Sequence, residues 1–179
     1  MKPSLHAALV GALALLLAIF SCGPGPAPPP TSAWERTGKV VIHLISLQDG
    51  GVGGARIGCG DSVVPVEVEL PAPKPALRGA LEALLAIDTP YDPRSGFYTA
   101  LHSSPLEIRR LQQDGDTVRI DIAGWVELED DCDAPRVLEQ LTRTATQFRD
   151  VRRADFYVDG APLERALTAR GGLGRGNQL

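Results

Sequence analysis

The chain has 179 residues, 44% hydrophobic and 22% charged, with Lys+Arg 18 against Asp+Glu 22 and a formal net charge of −4. That length holds one ordinary domain, the fractions are those of a globular chain, and the acidic balance excludes non-specific adhesion to nucleic acid. Aromatic residues make up only 5%, too few for an aromatic-caged cofactor site, and the three cysteines are an odd number that one kind of bond cannot absorb.

Lys2 opens a short positive stretch before an unbroken apolar run at 7–20 (AALVGALALLLAIF). As a helix this run would cover about 21 Å, short of a hydrocarbon core of about 30 Å. It therefore reads as the hydrophobic region of a secretory signal. The run ends in Ile19-Phe20-Ser21-Cys22, which resembles a bacterial lipobox: an aliphatic residue, then a small one, then cysteine. The resemblance implies a lipoprotein signal peptide at 1–21 and lipidation of Cys22, with palmitate-type acyl chains anchoring the protein outside the cytoplasm. Residues 22–37 follow as lipidated Cys and tether. Five prolines within 23–33 (GPGPAPPPTSA) make an extended, semi-rigid spacer about 30 Å long.

One folded domain is expected over 38–168. Residues 39–47 (KVVIHLISL) form a β-branched run that stops at Asp49-Gly50-Gly51, a strand and its turn. In 61–70, Val66, Val68 and Leu70 alternate with Glu67 and Glu69, and Pro65 places this second strand at an edge or bulge. The period then changes. Over 75–87, Leu77, Leu81, Leu84 and Leu85 share one helical stripe, with Pro75 suited to the first turn. Strands at 106–112 and 117–128 flank Asp114-Gly115-Asp116, a hairpin signal. A second helix starts at Asp133 and Pro135 and runs through Phe148, burying Val137, Leu141, Thr144, Ala145 and Phe148, with Asp133 as its cap. A last strand at 151–158 closes on Asp159-Gly160. The order β-β-α-β-β-α-β predicts an α+β domain, a mixed sheet with two helices packed on one face. Residues 169–179 form a disordered Gly-rich tail.

The leucine helix at 77–87, DGDTVRIDIAG at 114–124 and TATQFRDVRRADFYVDG at 144–160 together resemble the GerMN domain of bacterial envelope lipoproteins linked to sporulation and spore germination. The likeness spans roughly residues 40–167. It implies a non-catalytic α/β module, similar in topology to ring-building modules, that assembles with proteins of the cell envelope and is capable of self-assembly. Sporulation itself is not readable from the residues.

Cys59 and Cys132 remain once Cys22 is assigned to lipid. An even pair outside the reducing cytosol reads as a disulfide. The alternative is a catalytic thiol at Cys132, near a helix N-terminus but ringed by Glu129, Asp130, Asp131 and Asp133. That acidic run lacks the alternating ligands and central glycine of a calcium loop, and His43 and His102 are too few for a histidine metal site. The glycines of 49–60 lack the Lys-Ser/Thr of a phosphate cradle. No catalytic residue, metal or cofactor is expected. The long connection at 89–104 supplies the candidate partner patch, Tyr91, Tyr98 and His102, with Phe97 and Leu101 capping the core. Arg149, Arg152 and Arg153 read as a solvated strand edge. The leading expectation is a membrane-anchored interaction or scaffold module. A thiol- or metal-dependent hydrolase and a small-ligand-binding lipoprotein are the alternatives.

Overall fold

The computed structural model describes residues 31–168, so the expected signal peptide at 1–21, the expected lipidation site Cys22 and the expected tail at 169–179 lie outside the described residues. Within them the chain runs β1 (Arg36–Ser46), β2 (Ala55–Arg56), β3 (Ser62–Pro75), α1 (Ala76–Leu85), β4 (Leu106–Asp114), β5 (Thr117–Gly124), α2 (Asp133–Thr146), β6 (Arg153–Val158), β7 (Ala161–Pro162) and α3 (Leu163–Thr168). The α+β class stands. The single mixed sheet does not: β1, β3 and β2 form an antiparallel three-stranded sheet, while β4, β5, β6 and β7 form a second sheet in which β5 and β6 run parallel. Periodicity assigns strands and buried faces, but it does not say which strand pairs with which. The short β2, β7 and α3 are additions to the expected order.

Each long element follows from its pattern. In β1, Val40, Ile42 and Leu44 are buried, and opposite them β3 contributes Val64 and Val68. β3 passes into α1 without a loop. The fixed backbone of Pro75 (φ −51°) stands just before the first helical residue, where a missing N–H costs nothing. Leu77, Leu81 and Leu84 then fall on one fully buried stripe that packs on β1, β3 and β4. In β5, Val118, Ile120 and Ile122 are inward, with Phe156 and Val158 beside them on β6. Gly124 ends β5 at φ 112°, and a Cβ there would overlap the Pro105 carbonyl oxygen, so two connections cross at a residue that must be glycine.

The folded part begins before the expected boundary at 38. Ala33 is fully buried. Its N–H and the Ser32 hydroxyl both donate to Asp150, at 2.8 and 2.7 Å, while the Ala33 carbonyl accepts from Leu77 N–H at 2.9 Å. Residues 32–35 thus pack on the domain rather than belonging to a free spacer; small Ser and Ala side chains give no apolar periodicity that would announce this.

Candidate interaction site

The strand directions give the molecule two ends. At one end the lead 31–36 meets the start of α1, the turn between β4 and β5, and the turn after α2. Arg149 N–H donates to the Thr31 carbonyl at 3.3 Å, Gln113 Nε2 to the Asp150 carbonyl at 2.8 Å, and Arg152 N–H to the Asp116 carbonyl at 2.7 Å; Trp34 Nε1 also donates to Gln113. These connections are tight. The opposite end gathers the longer ones, 47–61, 86–105 and 125–132.

At that far end Cys59 and Cys132 lie at disulfide distance, their Cα atoms 6.0 Å apart. A bridge closing 73 residues stabilises a domain by about 4 kcal/mol in the chain-entropy model. The glycine-rich loop beside it is wound round its own carboxylate. Asp49 accepts from the Ser62 hydroxyl and from the N–H groups of Gly51 and Gly53, at 3.0 and 2.8 Å for the latter two, and the hydroxyl and amides hold its pKa down at about 2. The N–H groups of Gly50, Gly51, Val52 and Gly53 are all spent within the chain.

The three patch candidates do come together, although not as a surface. Tyr98 stands between the others, its ring centroid 5.8 Å from Tyr91 and 6.0 Å from His102, edge-on to both. Only Tyr91 is open, at 54% exposure; Tyr98 is 8% exposed and the His102 side chain also 8%. Both are corrections to the sequence reading, and the reason is local. Tyr98 and Ile45 exchange two backbone hydrogen bonds, at 2.8 and 2.9 Å, which draws the connection inward as an extra rung on β1. His102 is fixed by the Thr99 carbonyl at 2.9 Å and by Glu129 at 3.0 Å. Trp125, 47% exposed at the end of β5, is a surface aromatic that the sequence reading passed over. Arg149, Arg152 and Arg153 are exposed, with Arg152 3.6 Å from Asp116 and Arg153 3.1 Å from Asp155.

Beneath Tyr98 lies a polar cluster that sequence reasoning missed. Arg136 donates from Nε to fully buried Asp61 at 2.7 Å and from a terminal nitrogen to Asp133 at 3.1 Å, with Asp130 at 3.3 Å. Tyr98 Oη donates to the same Asp133 oxygen at 3.1 Å, and the guanidinium sits 5.3 Å from its ring centroid. Burial, reinforced by Asp133, pushes the Tyr98 pKa well above its ordinary value. Burial alone would lower that of Arg136, but the carboxylates of Asp61 and Asp133 outweigh it and raise it. Asp133 is therefore no simple helix cap. Its other oxygen accepts from the N–H groups of Glu129 and Asp130, which closes the preceding turn.

The cluster continues down α2. Gln140, fully buried, accepts from Ala100 N–H at 2.9 Å and donates to the His43 carbonyl at 3.1 Å; Thr144 accepts from His43 N–H at 3.0 Å, and Gln147 donates to the Val41 carbonyl at 2.8 Å. Together with Tyr98, these side chains take up the carbonyls of Val41, His43 and Ile45 and the N–H groups of His43 and Ile45 along the edge of β1 that faces away from β3. His43 lies half-buried against α2, and burial, aided by Arg143, lowers its pKa to about 4. The spacing 136, 140, 144, 147 is helical, so a signal existed.

A cleft of about 530 Å³ opens between α1, β3 and residues 86–94, with Val68, Leu70, Ala83 and Ile87 among its walls and Lys74 and Arg94 at its rim. Among the described residues no group of three His, Cys, Asp or Glu side chains is arranged to hold a metal, and no helix is long and apolar enough to cross a membrane.

The described residues form a small α+β domain with one helix seated by polar bonds on a strand edge and with its long connections collected at one end. The chain belongs to the Germane family, described as sporulation and spore germination, whose family model matches residues 53–164, more than half of the sequence. This agrees with the GerMN resemblance. No curated protein and no solved structure matches the chain.

Proposed function

We propose that this protein is an extracytoplasmic lipoprotein, held to the membrane through Cys22, whose Germane domain binds and scaffolds another envelope protein without catalysing a reaction. The sporulation and germination description of the family gives the setting. The observation that carries the reading is the clamp on the lead: Ser32 and Ala33 are bonded to Asp150 and α1, so a tether arriving from Cys22 reaches the domain at its tight-turned end. The end bearing Tyr91, Trp125 and the long connections then points away from the bilayer, which is the orientation a docking module needs. In an oxidising compartment the Cys59–Cys132 pair is bridged, which leaves no thiol nucleophile there. The ring-building likeness is a reading of topology and adds self-assembly as a form the scaffold can take.

Site-specific photocrosslinking in the native envelope tests this. A crosslinker at residue 91 is expected to trap a protein, and one at residue 116, at the tether end, to trap lipid or nothing. Lipid alone at residue 91 would remove the scaffold reading. Cys22→Ser is expected to move the protein from the membrane fraction to the soluble one.

A further inference from the structure

In an antiparallel pair, successive residues point their backbone groups alternately at the partner strand and away from it. In β1, Val41, His43 and Ile45 point away from β3, since their backbone groups are bonded to Gln147, to Thr144 and Gln140, and to Tyr98. Their cross-strand neighbours are Glu67, Pro65 and Val63, which therefore point away from β1 as well. Val63 is paired with Ala55 of β2, and Pro65 has no N–H to offer. Glu67, and in the same phase Glu69 opposite Lys39, direct N–H and C=O outward with no backbone partner among the described residues. An open stretch of strand edge is centred on these two residues.

The two faces of that edge differ in chemistry. Val68 and Leu70, alternating with the glutamates, line the 530 Å³ cleft together with Ala83 and Ile87, a volume within the range of about 300–1,000 Å³ typical of binding pockets. On the other face stand the exposed carboxylates of Glu67 and Glu69, with Lys39 on the β1 side at 3.1 and 3.7 Å. On the outer side the position that mirrors Lys39 is open.

We infer that β3 accepts an extended segment of a partner protein along Glu67–Glu69, its alternate side chains aliphatic, entering the cleft, and basic, standing beside the two glutamates. The inference rests on the interaction-module reading and names the chemistry of the partner. Backbone bonds supply affinity in such strand addition, and pockets for alternate side chains supply specificity. A second copy of this chain is a poor occupant, because antiparallel pairing of two β3 edges sets Glu67 against Glu69, and like charges opposite each other are destabilising. Pro65 on one side and Pro71, Pro73 and Pro75 on the other keep the open stretch short, which suits a single peptide and blocks continuous sheet growth.

The test titrates the full mature protein in detergent with end-blocked octapeptides, followed by fluorescence anisotropy. Alternating Lys-Val is expected to bind about tenfold or more tightly than alternating Glu-Val. Glu67→Pro deletes an outward N–H without taking a bond from the β1–β3 ladder, and is expected to weaken Lys-Val binding about tenfold. Should that variant fold poorly by circular dichroism, Glu67→Lys with Glu69→Lys leaves the backbone intact and is expected to reverse the preference toward Glu-Val. Equal binding of the two peptides, binding of neither, or an unchanged preference in the double lysine variant overturns the inference. The module reading is judged separately: a protein adduct at residue 91 that survives in the β3 variants leaves the module standing while the edge proposal falls.

Discussion

α1 and α2 both pack on β1, yet they are held there by different physics. The buried positions of α1 are Ala76, Leu77, Gly79, Ala80, Leu81 and Leu84, all apolar. Those of α2 include Asp133, Arg136, Gln140 and Thr144 as well as Val137, Leu141 and Ala145. The difference follows from what each helix meets. α1 lies over side chains on a sheet face, where removal of apolar surface from water is the stabilising term. α2 lies along the edge of β1, where N–H and C=O groups would otherwise be buried without partners, each at a cost of about 1–3 kcal/mol. Leucine is the right residue for a face, and glutamine or threonine for an edge. Such an edge, covered by a helix, is also barred from pairing with another chain.

Substitutions can break this contrast in graded fashion. The largest effect is expected from Arg136→Ala, which strands Asp61 and Asp133 as uncompensated buried charges and should cost about 4 kcal/mol in chemical denaturation. Adding Asp61→Asn and Asp133→Asn should return part of that loss; if it returned none, the cluster would be acting through packing rather than charge. Leu81→Ala, the matching deletion in α1, should cost about 3 kcal/mol by loss of burial and formation of a cavity. Gln140→Leu keeps the volume but orphans Ala100 N–H and the His43 carbonyl, and should cost about 2 kcal/mol despite raising hydrophobicity. A stabilised Gln140→Leu would sink the edge-satisfaction account. A separate effect concerns pH. Folding holds His43 near 4 against an ordinary 6.5, so acidification protonates the unfolded chain first. Stability should fall as pH drops from about 6.5 toward 4 and then level off. His43→Gln should lack that component when unfolding midpoints are compared across the range, and identical slopes would remove His43 as its source.

The same contrast explains what could be read from the sequence. α1 was legible, since Leu77, Leu81 and Leu84 carry an apolar period and Pro75 marks the start, although the helix ends at Leu85 rather than 87 and Leu85 is only half-buried. The long strands were legible for the same reason, although β1 begins at Arg36 rather than 39 and β5 stops at Gly124 rather than 128. Half of α2 was legible. Its buried face gave Val137, Leu141, Thr144 and Ala145, but Arg136, Gln140 and Gln147 beside them have the composition of a solvent face, and only the position of the β1 edge turns them inward. Tyr98 shows the same gap: an aromatic in a long connection carries no local mark that it will pair with Ile45. The Cys59–Cys132 proximity was anticipated from cysteine arithmetic, a long-range contact that needs no periodicity.

The clamp at Ser32 and Ala33 has a mechanical side. Traction arriving through the lead meets Asp150 and the start of α1 first, and passes beyond them into β1. There the ladder with β3, continuous from Lys39 to Ser46, lies across the direction of pull, so its rungs bear load together in shear rather than parting one after another. In the membrane-anchored arrangement proposed above, tension between the bilayer and a bound partner would be carried through this ladder.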